Sequence, residues 1–134
     1  MDEINRVKYL RIALLLVVGV IFIVGIYPLT IIWPSGWSWH AGQSGYLPMI
    51  SDLYATLGVF LSIASCKPFA HLSLIWFTVW SSIVHGGIMA AQSLANPEHM
   101  GHLCGDVLAL LAIGAVLALL TPRDAAAKLA SARA

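Results

Sequence analysis

LSLIWFTVWSSIVHGGIMAAQSL, residues 72–94, is long and apolar enough to cross a bilayer, and the link before it, CKPFAH (66–71), carries a single Lys. A spanning helix needs about 20 mostly apolar residues. The same criterion picks out Ile12–Ile32, Tyr46–Cys66 and Leu103–Leu120. The placement of charge then orients all four. Arg6, Lys8 and Arg11 precede the first span, Lys67 lies between the second and third, and Arg123, Lys128 and Arg133 follow the fourth. The other two connections, Trp33–Gly45 and Ala95–His102, hold no Lys or Arg. Basic residues close to span ends stay cytoplasmic. The expectation is an all-α four-helix transmembrane bundle, N-in/C-in.

Composition agrees with that expectation. The 134 residues are 60% hydrophobic and 10% charged, which is unlike an ordinary soluble domain. Four spans with short loops use nearly the whole chain, so residues 1–134 read as a single integral membrane domain. A net charge of +1, built from scattered basic residues, argues for no nucleic-acid partner. The expected partner is the lipid bilayer, with a homo-oligomer or a larger membrane complex also open. The first apolar run is longer than the core of a signal peptide, and no small-residue cleavage site follows it. Brevity and the lack of a transit pattern favour a multi-pass protein of the bacterial inner membrane. Cys66 and Cys104 fall at opposite membrane faces, roughly 25 Å apart by helix rise, too far for a disulfide.

Small residues mark where helices approach closely, because lipid gives apolar side chains no drive to leave it. Tyr54, Gly58, Ser62 and Ser65 form one such stripe. Gly86 and Gly87 form another, and Gly101 and Gly105 a third. These glycines are expected to pack helices, with the last two pairs joining the third and fourth spans. Pro48 suits the first turn of the second span, where its missing N–H costs nothing. The loop Trp33-Pro34-Ser35-Gly36-Trp37-Ser38-Trp39-His40 reads first as an interfacial aromatic anchor. Its alternative is a lid over a site or a surface for a partner.

Titratable groups within a span cost about 2.5–3.5 kcal/mol when central, so they are functional candidates. Here they gather toward the outer side. Thr78, Ser81, Ser82, His85, Met89 and Gln92 recur every three or four residues and share one helix face, expected to point into the bundle. Asp52 and Asp106 lie near the outer ends of their spans, His99 and His102 at the boundary, and His40 in the Trp loop. His85, Asp106, Asp52 and Gln92 are therefore the candidate ligand or proton site. His99-x-x-His102-x-x-x-Asp106 has the spacing of metal ligands on a helix that begins by His99.

Three readings of the cluster stay open. It is a structural pairing, a cation or proton site, or an enzyme or haem site with His85 as one axial ligand. A metal ion or a haem is the cofactor that the last two would need. The chain has no haem-attachment motif, nucleophile elbow, P-loop or dinucleotide fingerprint. The leading expectation is a non-enzymatic accessory or small-ligand- or ion-binding membrane protein with an outward-facing His/Asp cluster. The alternatives are a metal- or haem-dependent membrane enzyme using His85, His102 and Asp106, or a small transporter. Small multidrug transporters carry a carboxylate in their first span, and residues 12–32 have none.

Ser73–Met89, with Ile26-Tyr27-Pro28, Trp33-Pro34-Ser35-Gly36-Trp37, Tyr54-Ala55-Thr56-Leu57-Gly58, His102-Leu103 and Gly105-Asp106, resembles the signature of an uncharacterised family of short bacterial four-helix inner-membrane proteins, a domain of unknown function. The resemblance covers most of residues 9–123 and implies a four-helix membrane fold. It implies no reaction.

Overall fold

The computed structural model describes residues 2–39 and 45–122. Regular structure among them is entirely helical. Helix runs without a break from Glu3 to Ile32: α1 (Glu3–Ile12), a stretch of wider π-type turns (Ala13–Gly25) and α2 (Ile26–Ile32). A one-turn helix, α3 (Pro34–Trp37), follows. Then come α4 (Tyr46–Cys66), a 3-10 turn (Pro68–His71), α5 (Leu72–Ala95), a 3-10 segment (Pro97–Leu103) and α6 (Asp106–Leu120). Three helical stretches, Tyr46–Cys66, Pro68–Ala95 and Pro97–Leu120, are long and apolar enough to cross a membrane, and Val18–Ile32 is a shorter apolar helix. His40, Arg123, Lys128 and Arg133 lie outside the described residues.

Several boundaries differ from the sequence reading, each for a local reason. Helix begins at Glu3, well before the apolar run, because Asn5, Arg6 and Lys8 tolerate helix in water. α4 keeps the expected start at Tyr46, with Pro48 within its first turn, where no backbone N–H is needed. The largest difference precedes α6. Asn96 caps the following turn by accepting the Glu98 N–H at 3.2 Å, Pro97 opens it, and a 3-10 segment runs to Leu103. Gly105, with φ −97° and ψ −112°, then breaks the path. The α-helix of the last span starts at Asp106 rather than Leu103.

The helices associate as two pairs. The first helix packs on α4, and α5 packs on α6. Gly58 lies against the Gly19 carbonyl and Phe22, so the small-residue stripe of α4 faces the first helix. Gly86 meets Leu110 and Leu111, and Gly114 meets Val79 and Ile83. Two hydroxyls within these surfaces are satisfied along their own helices: Ser62 and Thr78 donate to the Gly58 and Leu74 carbonyls at 2.8 and 2.9 Å.

The two pairs meet mainly at one end. Leu10, Leu14, Leu61, Ile75 and Leu117 are fully buried there, beside the Cys66–His71 link. Arg11 Nε donates to the Ser65 carbonyl at 2.8 Å and ties the first helix to that link. Toward the far end the packing loosens. The buried residues of α4 are Gly58, Leu61, Ala64 and Ser65, all in its second half. A cleft therefore opens between the pairs and widens away from the link. Cys66 and Cys104 are both free thiols.

Candidate functional site

The cleft has a volume of about 680 Å³, within the roughly 300–1,000 Å³ usual for a small-molecule site. Most of its wall is apolar. Val18, Phe22, Ile26 and Leu29 line it from the first helix, and Ile113 and Val116 from α6. The polar wall is at the far end, where Trp37, Trp39, Tyr54, His85, Gln92 and Asp106 converge.

That end is held by Asp106. Its Oδ2 accepts from Trp39 Nε1 at 2.8 Å and from His102 Nδ1 at 3.0 Å. Its Oδ1 accepts from the Val107 N–H at 2.8 Å. His102 and Asp106 are buried, at 1% and 7% exposure. The Trp39 indole stacks on the His102 ring, with centroids 4.1 Å apart, and also meets His99 at 4.9 Å. The short helix α3 is thereby clamped onto the 3-10 segment. Glycine makes the approach possible: a Cβ at Gly101 would collide with the Ser35 carbonyl oxygen, and one at Gly105 with that of Gly36.

His85 is exposed on the cleft side of α5. Its ring meets the edge of Tyr54, with centroids 6.3 Å apart. Gln92 is also exposed on the cleft. The polar face of α5 is thus divided. Thr78 and Ser82 are buried against α6, while the residues nearer the far end face open space.

The structure brings His85, Asp106 and Gln92 to one cavity and leaves Asp52 outside it, exposed on another face of α4. Helical phase explains this. Leu47, Ile50 and Tyr54 line the cleft at spacings of three and four, and Asp52, two residues from both Ile50 and Tyr54, points nearly the opposite way. His102 and Asp106 are joined, while His99 meets Trp39 and the His102 ring, the latter at a centroid distance of 5.8 Å. No three His, Cys, Asp or Glu side chains converge as a metal-binding group among the described residues. The proposed ligand spacing assumed an α-helix through His99, whereas a 3-10 segment and the Gly105 break intervene.

The packing glycines also need correction. The nearest neighbours of Gly101 and Gly105 are Ser35 and Gly36 of α3, and a Cβ at Gly87 would meet nothing within 4 Å. Sequence reasoning placed Trp37 and Trp39 first as interfacial anchors. Both line the cleft, in keeping with the alternative of an aromatic lid over a site.

These features define a small all-α protein with three helical stretches long and apolar enough to cross a membrane and an amphipathic cleft between two helix pairs. The chain belongs to a family of unknown function, DUF6632, whose model matches residues 5–133. No curated protein and no solved structure matches it.

Proposed function

We propose that this chain is a four-span protein of the bacterial inner membrane, with both termini cytoplasmic, that binds a lipophilic small molecule without catalysis. The carrying observation is the cleft of about 680 Å³, apolar along its length and polar at one end. A lipid-soluble molecule with a polar head matches such a cavity: its tail replaces lipid along the first helix and α6, and its head reaches His85 and Gln92.

The orientation rests on charge. Arg11, which donates to the Ser65 carbonyl, and Lys67 lie at the closed end, and basic residues favour the cytoplasm. The Trp-bearing α3 and His99 lie at the open end, which suits the outer headgroup layer. A cytoplasm-active reporter fused after Arg133 is expected to be active, and so is a periplasm-dependent reporter inserted at Gly42. A cytoplasmic signal at Gly42 would remove the four-span topology.

Ala112 lines the cleft and is exposed, so a large side chain there fills the cavity without entering the core. Protein purified in mild detergent is expected to carry a lipophile into solvent extracts, detected by mass spectrometry against the bulk membrane lipids. Ala112→Trp is expected to fold and to carry it at less than a tenth of that level. Equal loading of both proteins would refute ligand binding in the cleft.

A further inference from the structure

We propose that the ligand of this cleft is an isoprenoid quinone, its ring held among Trp37, Trp39, Tyr54 and His85. The inference rests on the binding reading above and adds the chemistry of the head. Three observations narrow that chemistry.

The first is charge. Among the described residues no Lys or Arg lines the cleft, and Asp106 is the carboxylate in its wall. A fatty acid or phosphate head would lose its hydration, meet no cation and face an acidic group. Asp106 is also poorly placed to draw a cation, since both its oxygens already accept hydrogen bonds from Trp39, His102 and Val107. A neutral head is favoured on both counts.

The second is an unused donor. Trp37 Nε1 is buried without a hydrogen-bond partner among the described residues, and its ring lines the cleft. A buried N–H without an acceptor costs about 1–3 kcal/mol. An acceptor on the ligand removes that cost once a tilt of the Trp37 ring brings Nε1 to the cleft surface, and a quinone carbonyl is a neutral acceptor. His85 and Gln92, exposed in the same wall, can donate to the carbonyl across the ring.

The third is shape. Aromatic rings gather at the polar end and aliphatic side chains fill the rest. Flat conjugated rings pack well against Trp and Tyr by offset or edge contacts. From Leu29 back to Ala13 the lining spans up to about 24 Å at α-helical rise, and less through the wider turns of Ala13–Gly25. That length accommodates several isoprene units, with the remainder leaving through the open side into lipid.

The test is calorimetric titration of the purified full-length protein in detergent with three probes of similar tail: decylubiquinone, dodecyltrimethylammonium and dodecanoate. Saturable binding of decylubiquinone is expected, abolished by Ala112→Trp. Trp37→Phe keeps the ring but removes the N–H, and is expected to weaken binding about two- to tenfold with an unchanged helical circular dichroism spectrum. Unchanged affinity in Trp37→Phe would overturn the assigned hydrogen bond. Binding of the ammonium or carboxylate probe in place of the quinone would overturn the quinone and leave the cleft reading standing. Binding of none of the three, or quinone binding indifferent to Ala112→Trp, would overturn both.

Discussion

Asp106→Ala is expected to destabilise the protein by about 3–5 kcal/mol, measured by denaturant titration in mixed micelles. The carboxylate accepts from three donors at once: Trp39 Nε1, His102 Nδ1 and the Val107 N–H. Alanine leaves all three unpaired in a buried place, where each orphan donor costs about 1–3 kcal/mol. Asp106→Asn should lose roughly half as much, because its amide oxygen still accepts while its NH₂ faces a donor. His102→Ala removes one bond and the platform under Trp39, and should fall between the two. The loss reaches beyond stability. Trp39 ties α3 to the start of α6, and α3 carries Trp37 into the cleft, so Asp106→Ala should weaken ligand binding as well. Equal stability of Asp106→Ala and wild type would mean that the Trp39–Asp106–His102 set does not hold this end together.

The helical content was legible in the sequence because hydrophobic length is a strong signal. Tyr46–Cys66 is a helix with the expected bounds, and α5 runs one residue past its expected end. The small-residue stripe of α4 was legible too, since Gly58 can serve only close approach. What failed were particular assignments of helical phase and everything that depended on irregular backbone. Asp52 looked like a site residue by depth alone, yet its angle around α4 turns it away. Gly86 and Gly87 look equivalent in sequence, but a single residue step rotates one onto Leu111 and the other into open space. The His99, His102 and Asp106 spacing was read on an α-helix that Pro97 and Gly105 interrupt. His102 still reached Asp106, because both stand at the foot of α6. The cleft itself had no local signature: it arises from how two helix pairs diverge, a property of the whole fold.

Gly105→Leu is expected to cost about 3 kcal/mol, the upper part of the range for overpacking, while Gly87→Leu costs nothing measurable. The contrast follows from what each new side chain meets. At Gly105 the added Cβ runs into the backbone of Gly36, whose carbonyl oxygen, carbonyl carbon and Cα all lie within contact distance. Backbone cannot rotate aside as a side chain can, so α3 must lift from the 3-10 segment. Lifting it breaks the Trp39–Asp106 hydrogen bond and the stacking on His102. Gly101→Leu should behave similarly, since its Cβ meets the Ser35 carbonyl. At Gly87 the Cβ enters open space, and replacing Gly within a helix removes an entropic cost of about 0.5–1 kcal/mol. That variant should match or exceed wild type in the same denaturant titration. A second readout separates local from global damage. Displacement of α3 should change the fluorescence of Trp37 and Trp39 at denaturant concentrations where the helical circular dichroism is still intact. If Gly87→Leu were the more damaging of the two, the packing of α3 over Gly105 would be wrong, and with it the geometry that brings Trp37 to the cleft.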